Sequence, residues 1–157
     1  MKFTLLVVGR TLQKHFLRGV SDYTERIKHY IPFETEIIPE PKSAKHLHED
    51  QQKEKEGNSI LKVLRQGDVP ILLDERGKEF RSVEFAAWIN RQMQTTNKRL
   101  VFIVGGPYGF SEIVYAAAQE KIALSKMTFS HQMTRLIFIE QLYRAMTILK
   151  GEPYHHE

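Results

Sequence analysis

Apolar residues along the chain fall into short unbroken runs that alternate with longer stretches at helical spacing. "FTLLVV" (3–8), closed by Gly9, is the first run and predicts a strand buried on both faces. Residues 14–30 then place Phe16, Leu17, Val20, Tyr23, Ile27 and Tyr30 at helical intervals, and Pro32 stops that helix. "FETEIIP" (33–39) alternates as a strand does. Residues 44–66 predict a charged helix with a polar first half, "KHLHEDQQKEKEG", and an apolar stripe at Ile60, Leu61 and Leu64. "VPILLD" (69–74) predicts a third strand, with Pro70 tolerated near its start, and "ERGK" supplies a turn. Residues 82–94 form an amphipathic helix around Val83, Phe85, Ala86, Trp88, Ile89 and Met93. "LVFIV" (100–104), a fourth buried strand, leads into "GGPYGF". A short helix near 111–119 and a short strand near 121–124 precede "LSKMTFSHQMTR" (124–135), which runs into the long apolar helix "LIFIEQLYRAMTILK".

Strands alternating with helices, without repeat or linker, predict one α/β domain over residues 1–157 with a mainly parallel sheet. Such sheets bind ligands beyond the carboxyl ends of their strands, which directs attention to the segments after strands three, four and five.

Composition narrows the chemistry. The apolar runs are far too short to span a bilayer, and the start "MKFTLLVVG" has neither the apolar length nor the cleavage site of a signal peptide, so a cytoplasmic protein is expected. With no cysteine, disulfides, thiolate catalysis and cysteine-ligated metals are excluded. The net charge of +4 leans weakly toward a polyanionic partner, and no block of like charge carries it.

Three segments are candidates for a site. "VGGPYGF" (104–110) follows a buried strand, and its glycines allow a sharp turn and a close ligand approach. It is neither a Walker loop nor a spaced dinucleotide fingerprint, and a tight turn without ligand explains it equally well. Asp74, in "LLDERGKEF", is an acid, a ribose-hydroxyl acceptor or a turn residue, with the turn favoured. "LSKMTFSHQMTR" gathers Ser125, Lys126, Thr128, Ser130, His131 and Gln132 at a helix entrance. Ser130 or Thr128 can cap that helix, but a cap accounts for one hydroxyl only.

The helix behind it carries two apolar stripes, Leu136, Ile139, Tyr143 and Met146, and Phe138, Leu142, Ala145 and Leu149. An arc that wide predicts packing on a second subunit as well as on the sheet. Glu140 and Arg144 are spaced to pair across one turn. The seven histidines do not suggest a metal site: "HLH" (46–48) reads as solvated and "YHHE" as a tail. No nucleophile elbow, H-E-x-x-H or paired carboxylates occur.

Taken in order, "VVGR", "KEG" (55–57), "LDERGK", "VGGPYG", "LSKMTFSHQMTR", "EQLYRA" and "GEPYHH" span the whole chain. Together they resemble the SPOUT (α/β-knot) methyltransferases, specifically the RlmH family of ribosomal RNA large subunit methyltransferases. The resemblance implies helices on both faces of the sheet and a C-terminal trefoil knot, which no pattern argument proposes because threaded connections are almost absent from proteins. It implies S-adenosylmethionine bound by Leu72 and Leu73, by Gly105, Gly106 and Pro107, and by Leu124, Ser125, Lys126, Met127, Thr128 and Phe129. It implies methylation of N3 of a pseudouridine in 23S rRNA of the assembled ribosome by a homodimer, without metal or membrane. The catalytic candidates are His131, Arg135, Tyr154 and His155, with the tail serving the partner's pocket. Two positions depart from the pattern: Ser130 stands where the family commonly has proline, and His156 where it usually has Lys or Arg. The candidate rRNA contacts are Arg10, Lys14, Arg18, Arg76, Lys78 and Arg81. The alternatives are a non-catalytic ribosome-associated α/β-knot protein and, more distantly, a flavodoxin-like nucleotide binder.

Overall fold

The computed structural model describes residues 1–42 and 44–157. Its elements run β1 (Phe3–Val8), α1 (Lys14–Lys28), β2 (Phe33–Ile38), a 3₁₀ turn (Ala44–His46), α2 (Glu49–Val63), β3 (Val69–Glu79), α3 (Ser82–Thr95), β4 (Leu100–Val104), α4 (Glu112–Ala117), β5 (Glu120–Ala123) and α5 (His131–Lys150). The strands form one five-stranded sheet in the order β2-β1-β4-β3-β5, and every pairing is parallel.

The unbroken apolar runs take the central positions because both of their faces are covered. Every residue of β1 and of β4 is buried. Phe3, Leu5 and Val7 of β1 join a core cluster with residues of α1, α3 and α5, such as Ile27, Trp88 and Phe138. Leu6 and Val8 join the opposite cluster, with Ile60 of α2 and Val114 of α4. Helices therefore lie on both sides of the sheet. β2, at the edge, alternates buried ends with a more open middle.

The structure departs from the sequence reading in two places. "ERGK" is not a turn, because β3 continues to Glu79 and pairs with β5 on both sides of a register shift between Leu73 and Lys78. Residues 74–77 bulge between the two paired stretches. Gly77 is what permits this, since a Cβ there would lie 2.6 Å from the backbone of Lys121 and Ile122. The helix expected over 44–66 is a short 3₁₀ turn followed by α2 from Glu49, and its polar first half is not simply solvated: Gln52, Glu56 and Gly57 are buried.

α5 is capped by Ser130, whose Oγ accepts the Met133 N–H at 3.2 Å, and it ends at Gly151 in the left-handed region. Its wide apolar arc is largely covered within the chain. Leu136 packs against Gly19 of α1, Tyr143 lies 5.8 Å from Tyr23 of α1, and Phe138 lies 4.7 Å from Phe102 of β4. The arc alone therefore does not require a second subunit.

Candidate active site

A cavity of about 600 Å³ opens at the carboxyl ends of β3 and β4, on the sheet edge that α/β topology favours for ligands. That volume is in the range of small-molecule sites. One wall is the loop from Val104 to Phe110, one is the end of β3 from Leu73 to Arg76, and one is the entrance of α5 with Thr128, Phe129, Ser130, His131 and Thr134. A recess of about 50 Å³, sharing Leu73, Asp74, Glu75, Phe129 and Thr134 with it, extends it along Leu124, Ser125 and Met127.

The glycine loop is folded on itself: Gly109 N–H donates to Gly106 O at 3.2 Å, and Gly105 and Gly106 are buried while Pro107 and Tyr108 are exposed. Gly106 cannot be replaced without rearrangement. A Cβ there would lie 2.5 Å from both carboxylate oxygens of Glu56.

On the β3 wall, Asp74 is buried. Its carboxylate accepts the Arg76 N–H at 2.8 Å, as an Asp in a turn does, and accepts the hydroxyl of Tyr115. Arg76 donates to the Tyr115 oxygen at 2.7 Å and lies over its ring. Burial, then the bond to Asp74, pushes the Tyr115 pKa up to about 12, so this hydroxyl stays protonated. Across the cavity His131 is half-buried. Burial lowers its pKa below the usual imidazole value and the positive charge of Arg135 lowers it further, against Glu40, which raises it. A neutral imidazole, able to accept a proton, results at physiological pH.

The structure brings together most of the segments expected from the sequence. Leu73, Gly105, Gly106, Pro107, Thr128, Phe129 and His131 line the cavity, and Leu124, Ser125 and Met127 line its recess. Leu72 does not reach it, being fully buried in the core cluster on the α2 and α4 side, and the exposed Lys126 lines neither space.

Arg135 requires a correction. Its side chain is 1% exposed and turns away from the cavity to the end of β1, donating to Val8 O at 2.7 Å, Gly9 O at 2.9 Å and Thr11 Oγ1 at 3.1 Å. It clamps the β1–α1 connection, assisted by Gln132, which donates to Arg10 O.

Tyr154 and His155 also lie outside the cavity of their own chain. Tyr154 donates to Glu140 at 2.9 Å and lies edge-on to Tyr143, while His155 Nδ1 meets Arg144 at 3.2 Å and its buried Nε2 has no hydrogen bond, lying 3.9 Å from Glu157. Glu140 and Arg144 pair at 2.7 Å. At a rise of about 1.5 Å per residue, Glu140 is about 14 Å along α5 from His131.

Sequence reasoning missed the polar face of α2. Glu49 lines the cavity, Gln52 and Glu56 are buried below it, and Gly57 approaches Ser111, the residue that precedes α4, and Val114 within it. The signal was present in the helical spacing of 49, 52 and 56 ahead of a glycine, but an outward-facing charged helix has the same composition.

Comparison with known proteins places this geometry. The family described as "Predicted SPOUT methyltransferase" matches residues 1–155. The chain is 70% identical, over the full length of both chains, to ribosomal RNA large subunit methyltransferase H of Phocaeicola vulgatus. It is 64% identical to the protein of that name from Bacteroides fragilis and 52% identical to that from Porphyromonas gingivalis, again over the full length of each. In fold it is similar to the crystal structure of a "probable methyltransferase" from Bordetella pertussis Tohama I, with a TM-score of 0.55, 11% identity, and coverage of 92% of this chain and 93% of that one.

Proposed function

Because the chain belongs to the SPOUT methyltransferase family and groups with the large-subunit rRNA methyltransferases H, we propose that its cavity binds S-adenosylmethionine and transfers the methyl group to N3 of a pseudouridine in 23S rRNA. The protein is a methyltransferase of large-subunit ribosomal RNA. The observation that carries the finer reading is the cavity itself, which joins the glycine loop, the end of β3 and the 124–131 segment around one space.

The residues present fit the cofactor. Leu73, Val104, Phe110 and Phe129 offer apolar surface for an adenine, backbone at Gly105 and Gly106 permits close approach, and Glu49, Asp74 and Glu75 supply negative charge for a sulfonium and an ammonium. Bound there, S-adenosylmethionine supplies an electrophilic methyl group. The chain's own contribution is mainly alignment, which supplies on the order of 7–11 kcal/mol when reacting atoms are held in line. The imide proton of N3 must leave, and His131, neutral and in the cavity wall, accepts it.

The substrate is presented by the assembled ribosome. Arg10, Lys14 and Arg18 have no carboxylate partner among the described residues, whereas Arg81 is paired with Glu157 and Arg76 with Asp74. Arg10, on the β1–α1 connection that Arg135 and Gln132 join to α5, and Lys14 and Arg18, in the first turns of α1, are the phosphate contacts this reading favours. The active form is a homodimer in which the tail of one protomer, with Tyr154 and His155, completes the pocket of the other. Its support is the distance of that tail from its own cavity, together with Leu12 on the β1–α1 connection and Leu17 on α1, which expose apolar surface. The family's trefoil knot is compatible with the connectivity, and the setting is cytoplasmic; no helix among the described residues is long and apolar enough to cross a membrane.

The test is transfer of labelled methyl to intact ribosomes that lack the modification. Wild-type protein is expected to label 23S rRNA, and a chain truncated after Gly151 to bind S-adenosylmethionine without transferring the label. Cofactor binding by the full chain with no label in 23S rRNA would favour the non-catalytic ribosome-associated alternative.

A further inference from the structure

We propose that Glu56 is a positioning residue: its carboxylate, buried beneath the glycine loop, holds the Gly106 peptide in the orientation that receives the cofactor. The inference rests on the reading of that loop as a cofactor wall.

Several observations converge on it. Glu56 is 2% exposed in the second turn from the end of α2, where a solvated carboxylate is the ordinary expectation. It has no cationic partner among the described residues. A buried acid without a cation is costly, so its surroundings must supply compensation. The Gln52 amide donates at 3.1 Å, and the carboxylate lies directly against the Gly106 backbone, whose N–H favours the charged form. Burial still raises the Glu56 pKa, with Glu40 adding to the rise against both donors.

The contact is close enough to dictate the residue opposite. Both oxygens of Glu56 lie 2.5 Å from where a Gly106 Cβ would stand, so the glycine is required on this side, away from the cavity. α2 is itself set tightly by Gly57, which admits no side chain against Ser111, the residue that precedes α4. The carboxylate is therefore held by a rigid element, and the loop is held by the carboxylate. The other tie of the Gly106 peptide among the described residues lies within the loop itself: Gly106 and Gly109 form an isolated antiparallel bridge, with Gly109 N–H donating to Gly106 O at 3.2 Å.

The roles divide by chemistry. Fixing a backbone that contacts the cofactor stabilises its bound state before and during transfer alike, so Glu56 acts on cofactor affinity more than on turnover. Alanine removes the acceptor, while glutamine keeps an oxygen for Gly106 and leaves Gln52 free to reverse its own amide.

The experiment is calorimetry with S-adenosylmethionine, paired with methyl-transfer kinetics. Glu56→Ala is expected to raise the cofactor Kd and KM at least tenfold with kcat within threefold of wild type, and Glu56→Gln to stay within threefold on all of them. Gly106→Ala should weaken binding in the wild-type background and less so combined with Glu56→Ala, which vacates the space. Glu56→Ala binding as tightly as wild type, or losing kcat with KM unchanged, overturns the proposal. A wild-type chain that fails to bind S-adenosylmethionine overturns the underlying reading instead. Should Glu56→Ala not fold, Glu56→Asp, which draws the carboxylate back by one methylene, takes its place: the same rise in cofactor Kd and KM is expected, and binding as tight as wild type overturns the proposal.

Discussion

Two arginines at opposite edges of the sheet solve the same burial problem in opposite ways. Arg99, leading into β4 at the amino edge, has a side chain 10% exposed and surrounded by acids: Asp68 at 2.9 and 2.5 Å, Glu36 at 3.3 Å and Glu34 at 3.9 Å. Its pKa is raised by the bond to Asp68 despite burial. Arg135, at the carboxyl edge, is more deeply buried and bonds only carbonyls and a hydroxyl, with Nε unpartnered. Burial lowers its pKa to about 10, with Glu40 offsetting part of the loss. The amino edge cancels its charge and is built for cohesion. The carboxyl edge keeps a cation, only partly offset by Glu40, behind His131, where it opposes protonation of the imidazole.

The largest effect that distinguishes the edges is Arg99→Met, which leaves the Asp68 carboxylate buried without its partner and costs about 3–5 kcal/mol. Thermal or denaturant unfolding measures it, and the cofactor Kd of the folded protein should not change. The pH dependence follows from Asp68. Burial works to raise its pKa, but the bonds from Arg99 and from the Arg65 N–H outweigh burial and lower it. The stabilisation is therefore present above roughly pH 4 and is lost as pH falls through the lowered value, so the gap between wild type and Arg99→Met narrows in acid.

Arg135→Met probes the other edge. Orphaning the Val8 and Gly9 carbonyls costs about 1–3 kcal/mol, while displacement of the α5 entrance lowers methyl transfer by about 100-fold. As the proposed base, His131 has to be neutral, so kcat/KM is expected to fall as pH drops through its depressed pKa. Removing the neighbouring cation raises that pKa, and the acidic limb moves to higher pH. A pH–rate profile unchanged in Arg135→Met would break the comparison.

The smallest effect is Ser130→Ala, which removes the cap from Met133 N–H for about 1 kcal/mol. It tests whether the α5 entrance needs its cap as well as its clamp. Unfolding free energy and the Kd for S-adenosylmethionine, measured together, separate the two.

What the sequence could disclose divides along physical lines. The runs at 3–8 and 100–104 coincide with β1 and β4, because strands covered on both faces have no reason to be polar anywhere. The three loops around the cavity were legible from the strand-end rule and from the family pattern together. Residues 74–77 were not, since a glycine after charged residues marks a turn and a bulge alike, and only the pairing of β3 with β5 separates the two. Arg135 was misjudged for a different reason. Its spacing from His131 suggests a shared face, yet a long side chain can reach back to the end of β1. The polar face of α2 escaped notice because buried and solvated carboxylates look alike until a glycine loop is found on top of one.

Thiol chemistry was excluded at the outset by a chain without cysteine, and that absence has a practical side. Met127, 75% exposed at the crest of the segment around the recess, is tethered through its N–H to Ser125 Oγ at 3.0 Å. A cysteine placed there by Met127→Cys becomes the only thiol in the chain, so a dye attached to it labels one position and nothing else. The movement of that crest as a ligand arrives then becomes visible as a change in fluorescence, in bulk or on single molecules.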